Sequence, residues 1–128
     1  MGICIPKYIQ ANILLVDDDI MSQIYLRHIL EGNGLTVSTA DNGQQALDAL
    51  DKTHFDAILM DIQMPVMDGL ETTRRIRAAD TSFSEIPIIA VTSEEYEEHF
   101  LASGMNEYLS KPVNQNDIIA AIRRNLPA

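Results

Sequence analysis

Four short apolar runs in this chain each end on residues able to do polar chemistry. ILLV (Ile13 to Val16) stops at Asp17, Asp18 and Asp19, and AILM (Ala57 to Met60) stops at Asp61. IPIIAV (Ile86 to Val91) stops at Thr92 and Ser93, and EYLS (Glu107 to Ser110) at Lys111. Carboxylates crowded within a few ångströms repel one another, and a shared cation removes the conflict. All-oxygen donors favour Mg²⁺, which keeps part of its shell for waters or substrate oxygens; Mn²⁺ suits the same set. A metal, an ammonium and a hydroxyl are also the groups that stabilise charge on a transferring phosphoryl group, for which an aspartate carboxylate is one type of acceptor.

Such a site forms only if the runs are parallel strands, because the residues after parallel strands gather along a single edge. The hydrophobic period supports this by switching repeatedly between strand-like and helix-like, as in βα units. Five units can be read. The strands are Ile13 to Val16, Leu35 to Ala40, Ala57 to Met60, Ile86 to Val91 and Glu107 to Ser110. Helices are expected from about Ile20 to Glu31, Gln44 to Leu50, Leu70 to Arg77 and Glu94 to Ala102, with a last one led by Asn114 and Asp117. In the first helix Met21, Tyr25, Leu26, Ile29 and Leu30 share an apolar face. Ile62 to Asp68 contains a proline and reads as a loop.

At 128 residues the chain is the size of one compact domain, expected over 12–126, with 1–11 and 127–128 as tails. Hydrophobic residues make up 46% and charged residues 22%, as in ordinary globular proteins. No apolar run approaches a membrane span, so no membrane insertion is expected. The net charge of −10 argues against direct binding of nucleic acid. Arg74, Arg75 and Arg77, like Arg123 and Arg124, read as solvated helix faces. One cysteine, Cys4, lies in the N-terminal tail and can form no internal disulfide, which points to a reducing, cytoplasmic setting.

Taken in order, ILLVDDD, ILMDIQMPVMDGLE, IIAVTS and EYLSKP resemble the response regulator receiver family, over roughly Asn12 to Leu126. The resemblance implies a flavodoxin-like (βα)5 doubly wound sheet of five parallel strands, in the order 2-1-3-4-5. It also implies that Asp61 is the phosphoacceptor, and that Asp17, Asp18, Asp61 and the backbone carbonyl of Gln63 hold the metal. Thr92 and Lys111 match the groups that meet the phosphoryl group, and Thr92 with Tyr108 match the switch pair. A cis Lys111-Pro112 bond would aim the lysine inward. The implied role is that of a signalling domain rather than an enzyme, one that assists its own phosphorylation and dephosphorylation. Its phosphodonor is a histidine kinase or a histidine phosphotransfer protein, and a monomer or weak dimer is expected. The ILMDIQMPVMDGLETTRRIR stretch looks like receivers attached to hybrid sensor kinases, and a free-standing module fits equally well. Between Thr92 and Lys111 the chain is about three residues shorter than is usual in the family, close to one helical turn, so a shortened fourth helix is expected.

Each feature taken alone has a plainer explanation. Asp19 is best read as the N-cap of the first helix. His28, His54 and His99 lack ligand spacing, Met60, Met64 and Met67 suit core filling, and Glu94 to Glu98 suits a wet helix face. ILLVDDDIM and IIAVTS also resemble haloacid-dehalogenase-type phosphatases, in which Asp17 would be the nucleophile and Asp19 the general acid. That alternative leaves Asp61 and MPVMDG unexplained. A binding module that signals without phosphate is a third reading, unsupported because every chemical residue is in place.

Overall fold

The runs at Ile13 to Val16, Ala57 to Met60 and Ile88 to Val91 become strands whose side chains point alternately to two covered faces, which is why these runs are continuous rather than alternating. The computed structural model describes residues 11–62, 68–92 and 104–126. Five parallel strands, β1 (Asn12–Val16), β2 (Thr36–Ala40), β3 (Ala57–Asp61), β4 (Ile88–Thr92) and β5 (Glu107–Ser110), form one sheet in the order β2-β1-β3-β4-β5. Helices α1 (Ile20–Gly32), α2 (Gly43–Lys52), α3 (Gly69–Ala78) and α4 (Gln115–Asn125) cover it. The shortened helix expected over Glu94 to Ala102 lies outside the described residues, as do residues 1–10 and 127–128, Ser93 and His99.

Ile13, Leu15, Leu59, Ile89 and Val91 pack with Leu26 and Leu30 of α1 and with Ile118 and Ile122 of α4. Leu14, Val16, Ile58, Met60, Ile88 and Ala90 face the other way, toward Ala46 and Leu50 of α2 and Ile76 of α3. Two cores thus share one sheet. Fully burying a side chain of this size is worth about 1.5 to 3 kcal/mol, so both faces hold the central strands firmly.

Each helix starts on a polar cap. The side chains of Asp19, Asn42, Asp68 and Asn114 accept from the backbone N–H of Met21, Gln45, Glu71 and Asp117, respectively. The Asp19 cap and the Asn114 and Asp117 arrangement agree with the sequence reading. Strand β4 begins at Ile88 rather than Ile86, because Pro87 has no N–H to give a ladder; its carbonyl accepts from Ile58 N–H at 2.9 Å.

Two expectations need correction. The apolar face of α1 splits: Leu26, Ile29 and Leu30 are buried, whereas Met21 is 69% and Tyr25 51% exposed, alongside exposed Ile20 and Ile24. The first turns of the helix run beside residues 111–113 instead of over the strands. Arg77 is not a solvated residue. Its half-buried guanidinium donates to the carbonyls of Gly104 and Ser84, both at 2.9 Å, and to Asn106 Oδ1 at 3.0 Å. Asn106 Oδ1 also accepts from Ile88 N–H at 2.9 Å, so α3 and the starts of β4 and β5 are tied together. Burial lowers the pKa of Arg77, against the opposing charge of Glu85, but a guanidinium remains a cation.

Along the sheet edge Glu107 accepts from Arg124 Nη2 at 2.6 Å and from the Asn125 amide. The hydrogen bond from Arg124 holds the Glu107 carboxyl below its ordinary value, with Asn125 adding to the effect. A depressed carboxyl pKa stabilises the fold above the unfolded value of 4.5 and loses that contribution as pH falls through the folded value. Glu107→Gln is therefore expected to melt below the parent at neutral pH, with the gap closing under pH 4.5, as read by thermal melts across a pH series.

Candidate functional site

The strand register determines which residues meet. Val16 lies opposite Met60, Asp61 opposite Val91 and Thr92 opposite Ser110, so Asp17, Asp61, Thr92 and Lys111 all emerge at the C-terminal rim. Asp17 and Asp61 are only 1% and 6% exposed, whereas Asp18 faces solvent. One carboxylate oxygen from each of the three lies within 4.8 Å of the others. Lys111 Nζ stands 3.6 Å from Asp17 Oδ2 and 3.7 Å from Asp61 Oδ1. Three carboxylates against one ammonium leave a formal double negative charge, which a divalent ion would balance. Oxygens bound to Mg²⁺ at about 2.1 Å stand about 3 Å apart when adjacent and about 4.2 Å apart when opposite, the scale on which this trio is gathered. The donor set fits a hard cation.

Backbone bonds hold the site from below. Asp17 N–H donates to the Ala40 carbonyl at 3.1 Å, and Lys111 N–H donates to the Thr92 carbonyl at 2.8 Å. Asp17 Oδ1 accepts from Asp19 N–H at 2.9 Å, which turns the chain into α1. Asp19 itself accepts from Met21 N–H and from Ser22 Oγ at 3.1 Å. The general acid of the phosphatase alternative is thus occupied as a helix cap. Thr92 is 1% exposed at the end of β4. Tyr108 is partly buried on β5 beside Ala90 and packs against the core that faces α2 and α3. The Lys111-Pro112 peptide is cis. Gln63 lies outside the described residues. His28 and His54 are exposed; His54 Nε2 stands 3.4 Å from Asp56 Oδ1, beside the start of β3 rather than its rim end.

Two supporting residues were not recognised from sequence. Gln23 Nε2 donates to the Asp17 carbonyl and to Asp41 Oδ1 at 2.8 Å, and Gln45 Oε1 accepts from Asp41 N–H at 2.8 Å. This braces the end of β1 against α1 and the β2–α2 loop, and nothing local marks Gln23 for the task. Gly69 carries a usable signal in the Asp68-Gly69 pair, but its spatial reason lies across the loop at the end of β3. A β-carbon there would overlap the Asp61 carbonyl oxygen and stand 3.0 Å from Ile62 Cα, while Gly69 N–H donates to the Ile62 carbonyl at 3.0 Å.

An open parallel sheet with two covered faces and an acidic, lysine-flanked rim defines a flavodoxin-like α/β protein with a site suited to a divalent cation. The chain belongs to the response regulator receiver domain family, whose sequence profile matches residues 13–123. It is 33% identical to Probable histidine kinase 1 of Oryza sativa subsp. indica over 97% of this chain and 16% of that kinase. It therefore spans a small part of that relative. Among solved structures, it resembles the receiver domain of sensor histidine kinase PA1611 from Pseudomonas aeruginosa, which has a magnesium ion coordinated in its active site cleft. That likeness has 35% identity and a TM-score of 0.84, covering 91% of this chain and 98% of that one. It also resembles the receiver domain of Ssk1 in its co-crystal with the histidine phosphotransfer protein Ypd1 of Saccharomyces cerevisiae, at 28% identity and a TM-score of 0.82, covering 92% and 90% of the two chains. The domain is thus a receiver of two-component signalling. No helix among the described residues is long and apolar enough to cross a membrane.

Gly69→Ala is expected to cost about 1 to 3 kcal/mol through overpacking against backbone that cannot retreat. Gly32→Ala, with nothing within 4 Å of the added carbon, serves as the control and is expected to be neutral or slightly stabilising. Urea denaturation of both variants measures the difference.

Proposed function

We propose that this domain takes a phosphoryl group onto Asp61 from a phosphohistidine on a histidine kinase or histidine phosphotransfer protein. The observation that carries the reading is the buried Asp61 carboxylate placed with Asp17, Asp18 and the Lys111 ammonium at one rim. Asp17, Asp18, Asp61 and the backbone carbonyl of Gln63 would hold Mg²⁺, with Mn²⁺ able to use the same oxygens. When bound, the ion supplies positive charge to the phosphoryl oxygens and relieves the repulsion among the carboxylates.

An Asp61 oxygen attacks phosphorus while the phosphorus–nitrogen bond to the donor imidazole breaks, and the ring nitrogen keeps the bonding pair. The product is an acyl phosphate on Asp61. Lys111 holds one side of the developing charge, and the Thr92 hydroxyl turns toward the phosphoryl oxygens. The modified side chain carries more charge and more acceptor oxygens than the carboxylate it replaces. Drawing Thr92 inward lets Tyr108 follow, which shifts a pre-existing equilibrium that a partner reads at the β5 edge. The domain is a switch that assists its own phosphorylation and dephosphorylation, and it works in the cytoplasm as a monomer or weak dimer.

Support for a protein donor comes from the exposed apolar start of α1, which borders the acidic rim and gives a docking helix something to cover. The Ssk1 receiver was crystallised with a phosphotransfer protein, which fits the same assignment. The sequence relation to a histidine kinase is consistent with a module of a longer hybrid protein.

The parent protein is expected to gain one phosphoryl group from acetyl phosphate in the presence of Mg²⁺ and to gain none in EDTA, as read by intact-protein mass. Asp61→Asn is expected to lose the uptake. Phosphate found instead on Asp17 would return the phosphatase reading to first place.

A further inference from the structure

Tyr25 belongs to the exposed apolar start of α1, yet its hydroxyl reaches across 88 residues of sequence to donate to the Val113 carbonyl at 3.0 Å. Val113 stands two residues after Lys111, and its side chain is buried in the core shared by α1 and α4. The loop from Lys111 to Asn114 is anchored at its ends. Lys111 N–H donates to the Thr92 carbonyl at 2.8 Å, and Asn114 caps α4 by accepting from Asp117 N–H at 2.8 Å. Tyr25 provides a tether between these anchors.

We propose that Tyr25 is a positioning residue for Lys111, joining the apolar face of α1 to the ammonium that serves the acidic rim. The proposal rests on phosphoryl acceptance at Asp61. Lys111 Nζ stands 3.6 and 3.7 Å from its two carboxylates, at the outer edge of direct contact, so a loop shift of a few tenths of an ångström changes which oxygen it serves. A half-exposed phenol can satisfy its hydroxyl with water, so packing alone does not require the bond to Val113. A phenylalanine would fill the same apolar space. The Tyr25 ring also lines a groove of about 600 Å³ together with Met21, Lys111, Pro112 and Val113. Whatever seats on the start of α1 therefore touches the ring whose hydroxyl holds the lysine loop.

The test is a double-mutant cycle in the full chain, with acetyl phosphate as donor and saturating Mg²⁺. Tyr25→Phe is expected to slow phosphorylation about threefold to tenfold, the value of one hydrogen bond. The Mg²⁺ concentration for half-maximal rate and the thermal midpoint are expected to stay close to the parent's. In a Lys111→Met background the same change is expected to have no further effect. The ¹⁵N resonance of the Lys111 ammonium is expected to move in Tyr25→Phe, a readout independent of the reaction. An unchanged rate, an equal loss in both backgrounds, or an unmoved ammonium resonance would overturn the role. Failure of the parent itself to take up phosphate would instead overturn the acceptor reading, and the two failures are told apart by that control.

Discussion

The crowding of negative charge at the ends of two adjacent central strands is the constraint around which this domain is arranged. Like charges this close favour separation or protonation, and buried ones all the more. The chain resists separation by placing Asp17 just after β1 and Asp61 at the end of β3, neighbouring strands with both faces covered. Neither strand can yield without opening a core. Lys111 supplies partial compensation, and the remaining imbalance is what makes the rim receptive to a divalent ion.

Around this fixed centre the structure grades from rigid to yielding. Every residue of β3 and β4 is buried, whereas β5 at the sheet edge is intermediate to exposed and depends partly on an ion pair with α4. Edge elements of this kind open at lower free energy than central ones. Asp61 therefore sits on a central, fully buried strand, while Tyr108 sits on an edge strand.

Much of the architecture was legible because strand burial on two faces writes itself as uninterrupted aliphatic runs, and because Asp19 and Asn114 are good N-caps in front of helical patterns. The acidic rim followed from knowing where parallel strands end. What was not legible depends on partners remote in sequence. Arg77 looks like its exposed neighbours Arg74 and Arg75 until Gly104 and Asn106, 27 and 29 residues away, fold against it. Gln23 sits on a helix like any polar residue, and only the arrival of Asp41 gives it a role. The apolar positions of α1 obey a single helical period, but which of them meet the sheet depends on how far the helix extends past it. Gly69 is required by the carbonyl at the end of β3, a contact that the Asp68-Gly69 turn signal does not record.

The strands all run toward the rim and α4 returns from it, so Ala11 and Leu126 come to rest against the same core near the opposite end of the sheet. Extra polypeptide joined at either point would leave from the side remote from Asp61. The acidic edge and the two points at which the described chain begins and ends thus occupy opposite ends of the sheet.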